Sequence, residues 1–578
     1  MTSCDDLFGV MDNPMSPGLK VSTPTIQVEV GKTFRCNATA STKAKLIFTS
    51  ADPSIATVDS YGVITGVKEG KTTVTVTTEG VDDTYKKMFN TESMTVAVEV
   101  YKNHVKGLEL SKTDMMVTLG EDDDPVTLKA TVSPTDASDK TVVWKSSDEA
   151  VAKVDDKGVV TFVGQGSATI TATATNGTEE TDDDVEATCE VIVNVPVDLT
   201  SITDGAIPDY AALTGTLDGS ANNIALTIAD GATVTLDGMT INGDHGDGGT
   251  AYKHAGLTID GDVTIILKGE NVVTGFNRDY PGIYVTPGST LTIKGDGQLE
   301  ASSGSDGTYS YGAGIGGGRN LDCGNIVIES GTIIAKGSNC AAGIGGGGSR
   351  SSCGDITIKG GDITASTEGY GGAAIGVTGA LSTGGDITIT GGTIKAEVKG
   401  TTNKTGVGIG CGMIGTPGKV GNITITGGDI TATGGSSDGV GIGAYNEGKC
   451  GDIDISGGTI VATGSKYGAG IGTGRGRSNS ESTHSTCGKI TITGGDITAT
   501  GGQYAAGIGT GYSRDGVGYS ICGDITITVG VTQVTATKGE DATNSIGAGV
   551  DGACGTITIG GVVKAQSDFT DATYTYRP

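Results

Sequence analysis

From residue 324 onward, apolar and polar positions alternate in one recurring phrase. It reads GNIVIESGTIIA at 324, GDITIKGGDITA at 354, GDITITGGTIKA at 385 and GNITITGGDITA at 421. It returns as GDIDISGGTIVA at 451, GKITITGGDITA at 488, GDITITVGVTQVTA at 523 and GTITIGGVVKA at 555. A second phrase keeps the same period, from GAGIG at 312 through AAGIG, GAAIG and GVGIG to GAGVD at 547. Isoleucine at every second position, with threonine between, is the period of a β-strand. Self-similarity at 30 to 37 residues marks a solenoid. Each period supplies three short strands separated by glycine corners, with like residues in like registers. The pattern predicts a right-handed parallel β-helix over 197–578. Its expected core ladder is Ile326, Ile356, Ile387, Ile423, Ile453, Ile490, Ile525 and Ile557. Looser alternation at 232–241, 263–275, 282–285 and 289–301 adds earlier coils, about eleven in all.

Upstream, the alternation changes character. Residues 21–101 and 106–196 are two copies of a second pattern, one containing FTSADPSIATVDSYGVITGVKEGKTTVTVTT and the other VWKSSDEAVAKVDDKGVVTFVGQGSATITAT. They align strand for strand, with turns ending at Gly62 and Gly158. Short alternating strands at this spacing predict antiparallel sandwiches, so the whole chain reads as all-β. The two copies resemble the bacterial Ig-like group 2 domain over nearly their full length. The single tryptophan, Trp144, falls where that family often has its core aromatic. The resemblance implies a spacer or stalk. Residues 200–345 resemble, at the level of fold, the carbohydrate-binding β-helix domain of bacterial surface proteins, which implies polysaccharide and calcium binding. The acidic runs at 121–125 and 181–186 read as solvated loops before calcium sites.

Glycine, at 101 of 578 residues, raises one chemical question. Gly312, Gly314 and Gly317 satisfy G-x-G-x-x-G, the spacing of a dinucleotide fingerprint. Such a fingerprint occurs once, before a helix. Here the glycines recur in every period and no amphipathic helix follows, so they are structural. Aromatics are only 4% of the chain, consistent with a core built from aliphatic ladders. A net charge of −29 argues against nucleic acid as a partner. No run of 18 apolar residues is present to span a membrane. The start, MTSCDDLFGV, resembles the end of a bacterial lipobox trimmed of its hydrophobic part. That resemblance implies lipidation of Cys4, a tether over 1–20, and an outer membrane lipoprotein at the cell surface. The acidic pair Asp5 and Asp6 resembles the surface-export signal of Bacteroidetes lipoproteins.

Several rows carry candidate chemistry. Cys323, Cys353, Cys450, Cys487, Cys522 and Cys554 each precede a repeat glycine. Without a C-x-x-C pair they read as a stack of small buried thiols, with neighbouring rungs near enough for some disulfides. The row Thr332, Asp362, Thr393, Asp429, Thr459 and Asp496 alternates acid with threonine, which keeps carboxylates about two rungs apart. Asp355 and Asp386 are the one adjacent acid pair of their row, a candidate Ca²⁺ site. GDHGDGGTAYKH at 243–254 gathers Asp244 and Asp247 with two histidines, a second candidate for Ca²⁺ or catalysis, though a capping loop fits it better. The loops after the GIG phrase hold Arg319, Arg350, Arg475, Arg477 and Arg514, with Tyr512 among them. Tyr311, Tyr467 and Tyr504 sit four residues before the GIG isoleucine. Tyrosine faces stack on sugar rings and arginine forks bind carboxylates. The expectation is a non-catalytic, monomeric adhesion protein whose edge binds an anionic polysaccharide. A polysaccharide lyase or glycoside hydrolase comes second, and a structural rod or protein-binding adhesin third.

Overall fold

The computed structural model describes residues 16–578 apart from 42–43, 80, 83–86, 89, 177–183, 244–251, 305–309, 380, 401–403, 413–417, 477–483 and 515–518. Among the described residues there is no α-helix; strands and short turns carry the whole architecture. The chain divides into two compact units between Val193 and Asn194.

The first unit holds the two Ig-like domains. In the first domain Thr25–Glu29, Ser93–Tyr101, Gly70–Thr78 and Leu46–Ser50 form a four-stranded sheet. Thr33–Arg35, Val63–Gly66 and Ala56–Val58 form a second, three-stranded sheet. Alternate valines at 74, 76, 96 and 98 are fully buried between them. The second domain repeats the pairing with Val142–Ser146, Gly166–Ala174 and residues 185–193. The two copies also share their turn chemistry. Asp59 Oδ1 accepts from the Tyr61 and Val63 amides, and Asp155 Oδ1 from those of Lys157 and Val159. Gly62 and Gly158 have φ of +79° and +77°. A Cβ there would press on the Phe48 ring in one copy and the Trp144 ring in the other, at 2.8 Å in both. Trp144 thus fills the expected aromatic position, and Phe48 is its counterpart.

The second unit is a parallel β-helix with three long sheets. Face one runs from Ala211–Thr214 to Ile557–Ile559, and face two from Thr216–Asp218 to Gln533–Thr537. Face three runs from Ala206–Ile207 to Ile546–Gly547. Among the described residues face three has twelve strands, one coil more than the repeats predict. The additional coil, at 206–218, is built on alanine, leucine and threonine and lacks the Ile-Thr-Ile signature. A fourth, short sheet follows face three in the last coils: Lys449–Cys450, Ser485–Cys487, Ser520–Cys522 and Ala553–Cys554. The isoleucine ladder is in the predicted register from Ile326 to Ile557, every member 2% exposed or less. The alternating row from Thr332 to Asp496 also pairs rung by rung as read.

One sequence expectation changes in detail and another is sharpened. The phrase at 555 is not a full coil. Val562–Lys564 folds back antiparallel on Ile557–Ile559, with Ile559 opposite Val562. Gly560 and Gly561 both have positive φ, +58° and +78°, as a two-residue hairpin requires. In the coil corners only the second glycine does so, as at Gly361 and Gly428. The chain then packs Phe569 under the last coil and lays Thr573–Tyr576 antiparallel along Gln533–Thr537, so that faces one and two each end in an antiparallel strand. The structure also settles the cysteine row, whose disulfides the sequence leaves open. Cys323 and Cys353 are joined in a disulfide, whereas Cys450, Cys487, Cys522 and Cys554 are free thiols.

Candidate functional site: a tyrosine and cation edge on the β-helix

In the coils that carry the GIG phrase the chain turns sharply after its isoleucine, where the second glycine takes φ near +130° in successive coils. A Cβ at Gly443 would sit inside the carbonyl oxygen of Gly472 on the next coil, so no other residue fits. This turn folds the residue four before the isoleucine back toward the residue four after it. In YGAGIGGGR those residues are Tyr311 and Arg319, and the guanidinium lies 4.6 Å from the ring centroid. In YGAGIGTGR they are Tyr467 and Arg475, 4.8 Å apart in the same sense. In YAAGIGTGY, tyrosine takes the place of arginine, and Tyr504 and Tyr512 lie 5.7 Å apart. Tyrosine and arginine eight residues apart around GIG was the signal available in the sequence.

The last two copies occupy adjacent coils and merge. Tyr467 and Tyr504 stack at 5.2 Å with planes 15° apart, and Tyr512 closes on Tyr467 at 5.0 Å. Arg475 lies 4.8 Å from Tyr467 and 5.7 Å from Tyr512, and Lys466 Nζ lies 4.8 Å from Tyr467 on its own side. Backbone bonds hold the frame: the Tyr512 amide donates to the Tyr467 carbonyl at 3.0 Å, and the Tyr504 amide to the Lys466 carbonyl at 2.8 Å. Three half-buried rings and two cations therefore form one rigid aromatic surface. Each cation–π contact of this kind contributes about 0.5–1 kcal/mol at an exposed site.

The same edge carries more than sequence reading found. Tyr370 and Lys404, on neighbouring coils, form a further pair at 5.0 Å. Tyr370 is 45% exposed and holds φ at +90°, a conformation that L-residues rarely adopt. Near the other end Lys253, Asn277, Arg278, Asp279, Tyr280 and Arg319 line a cavity of about 500 Å³. Arg319 is 3.7 Å from Asp279 there. Lys253 and Arg278 come to Arg319 from other coils, so no local motif announces that the three share a cavity. Arg350 and Arg514 are exposed on the loops of this edge.

The candidate Ca²⁺ acids have another occupation. Asp355 Oδ1 accepts the Asp386 amide at 2.8 Å, and Asp386 Oδ1 the Asn422 amide at 2.7 Å. Asn325, Asn422, Asp452 and Asp524 do the same on their coils. The row is a ladder of side-chain caps on the next coil, and these contacts leave Oδ2 of Asp355 and Asp386 outside the ladder. Among the described residues no three His, Cys, Asp or Glu side chains gather as a metal-binding group. Asp244, Asp247, Arg477 and Cys4 lie outside the described residues. His254, at the end of the same segment as Asp244, sits with Nδ1 3.0 Å from the Ala255 carbonyl and Nε2 3.1 Å from that of Asn223. Its ring packs on Phe276 at 4.2 Å, a structural setting.

Comparison with known proteins follows the two units. Residues 17–88 and 104–185 match the bacterial Ig-like domain (group 2). Residues 291–319, 326–348, 387–413, 423–445, 453–475 and 490–512 match the beta helix repeat. Two uncharacterised proteins of Clostridium acetobutylicum are similar, 31% identical over 123 residues and 32% over 146. These matches cover 20% and 25% of this chain, and the chain spans only 27% and 13% of those proteins. An alpha-L-arabinofuranosidase of Bifidobacterium longum is 57% identical over 54 residues, 9% of this chain and 5% of that enzyme. Among solved structures, domains 4 and 5 of the S-layer protein SbsC align with 19% identity and a TM-score of 0.19, over 30% of this chain and 96% of that one. Human protocadherin-24 EC1-2 aligns with 11% identity and a TM-score of 0.16, over 31% and 98%. The chain thus carries two bacterial Ig-like domains of group 2 followed by a β-helix repeat region.

Proposed function

We propose that this is a cell-surface protein that binds an anionic polysaccharide along the tyrosine and cation edge of its β-helix, without cleaving it. The observation that carries the reading is the merged surface of Tyr467, Tyr504, Tyr512, Arg475 and Lys466. Flat rings offer faces to pyranose rings, and guanidinium and ammonium groups beside them offer charge-assisted bonds to uronate or sulfate. Tyr311 and Arg319 stand five strands earlier on the same face, about 24 Å along the axis at one rung per ~4.8 Å. Tyr370 and Lys404 lie between them. An extended sugar chain lying along the axis would meet all three stations. The short similarity to an arabinofuranosidase, an enzyme named for its action on a glycan, supports a glycan context. The Ig-like domains then serve as a spacer, with lipidation of Cys4 anchoring the chain to the outer membrane.

The test is calorimetric titration of the full chain with uronic-acid oligosaccharides, followed by product analysis. Tyr467→Ala with Arg475→Ala is expected to weaken binding at least tenfold, about 1.4 kcal/mol or more. Unchanged affinity in that variant would sink the reading. New reducing or unsaturated ends would replace it with an enzyme.

A further inference from the structure

The residue before the repeat glycine forms a single row along the β-helix: Cys323, Cys353, Gly384, Val420, Cys450, Cys487, Cys522 and Cys554. Its cysteines fall in two unbroken runs, one of two and one of four. The run of two is already a disulfide, with a Cα–Cα distance of 4.4 Å between neighbouring rungs. The run of four has the same strand register: Cys450 pairs with Cys487, Cys487 with Cys522, and Cys522 with Cys554. The Cys522 thiol lies within hydrogen-bonding reach of both Cys487 and Cys554. Cys450, Cys487 and Cys522 are buried, and Cys554 is partly exposed at the end of the stack. We propose that these four thiols are a disulfide ladder, charged from its exposed end at Cys554 by a small disulfide oxidant and closing as Cys450–Cys487 and Cys522–Cys554.

The end residue is suited to entry. The Gln566 side-chain amide donates to the Cys554 sulfur at 3.6 Å. The hydrogen bond from the Cys522 thiol, acting against burial and the nearby Asp524 charge, places the Cys554 pKa below its ordinary value. Hydrogen bonds with Cys487 and Cys554, and then burial, push the Cys522 thiol up and hold it protonated. The Cys554 thiolate attacks one sulfur of the oxidant, whose S–S bond breaks and releases one small thiol. Cys522 then attacks the Cys554 sulfur of the mixed disulfide, gives up its proton, and releases the second small thiol. Cys487 attacks Cys522 and frees Cys554, and Cys450 attacks Cys487 and frees Cys522. A second oxidant at Cys554 completes the set. Four protein thiols and two oxidant disulfides become two protein disulfides and four small thiols. Each transfer runs between neighbouring rungs, so no strand moves from its register.

The bridges would close the bases of the loops that carry Arg475 and Tyr512, since the fourth sheet receives the chain from them. The experiment uses the full chain, reduced and then exposed to oxidised glutathione, with alkylation and peptide mapping by mass spectrometry over time. Cys450–Cys487 and Cys522–Cys554 peptides are expected, with Cys522–Cys554 appearing first. Cys554→Ser is expected to slow oxidation of the remaining three by about tenfold or more, because they are buried. Cys450→Ser, at the buried end, should leave Cys522–Cys554 formation unchanged. Four free thiols after prolonged oxidation would overturn the proposal, as would glutathione retained on Cys554 alone. An unaltered oxidation rate in Cys554→Ser would overturn entry from that end.

Discussion

The Asx row shows how one side chain can set its neighbour's identity. The Oδ1 of each Asp or Asn occupies the space where a Cβ would stand on the next coil's repeat glycine, as Asp355 does over Gly385 and Asp386 over Gly421. The Gly-Asp and Gly-Asn dipeptides that open the repeats therefore express one contact. Asp386→Ala removes the cap on the Asn422 amide and should cost about 1–2 kcal/mol in urea denaturation. Asp386→Asn should cost far less, since Asn325 and Asn422 already make the same bond. At the candidate site, Tyr467 is the ring that both Arg475 and Tyr504 touch. Tyr467→Phe is expected to retain the stacking and most glycan affinity, and Tyr467→Ala to lose both.

At the scale of elements, the ends of the β-helix are where its repeat must fail. An open coil presents unpaired strand edges and the apolar ladder to solvent. The hairpin at Gly560 and Gly561, buried Phe569 and the antiparallel strand Thr573–Tyr576 cover that end. Truncation after Ile559 should make the protein self-associate, visible as a shift to higher mass by light scattering. The Ig-like strands have a different dependence, on pH. The Ser54 hydroxyl and amide hold Asp52 below the ordinary carboxylate range. Ser16 and the Leu19 amide do so for Glu92, and Gln27 and Lys71 for Glu99. A depressed carboxylate contributes stability that is complete above its unfolded pKa, about 4, and is lost as pH falls through the lower folded value. The melting temperature of the Ig-like transition should therefore be steady from pH 7 to 5 and fall by pH 3 in calorimetric scans.

Across the whole molecule the charge is −29, and the cations of the candidate edge stand out against that background. A polyanionic ligand approaches against a net repulsion that salt screens, with a Debye length of about 8 Å at physiological ionic strength. Its association rate with the full chain should rise as salt is added from low concentration, opposite to the behaviour of a basic glycan-binding protein. Stopped-flow measurement between low and physiological salt checks this.

The sequence by itself determined the two Ig-like copies, the parallel β-helix and the register of its ladders. The physical reason is period: strands that alternate every second residue, in coils that stack like on like, leave one arrangement that buries every isoleucine. The tertiary structure alone decided what lies between coils. The first coil, with Leu213 and Leu217 as its core, lacked the repeat's wording. The phrase at 555 has the letters of a coil but one residue fewer at its corner, with Gly560 directly after Ile559 where Thr390 follows Ile389, and positive φ at both Gly560 and Gly561 makes that shorter corner a hairpin. Which cysteines joined, and which rings met across coils, depended on distances between residues some 30 to 40 positions apart. Tyr370 reaches Lys404, and Tyr467 reaches Tyr504, across one turn of the helix, where spacing in the chain varies but spacing in space does not.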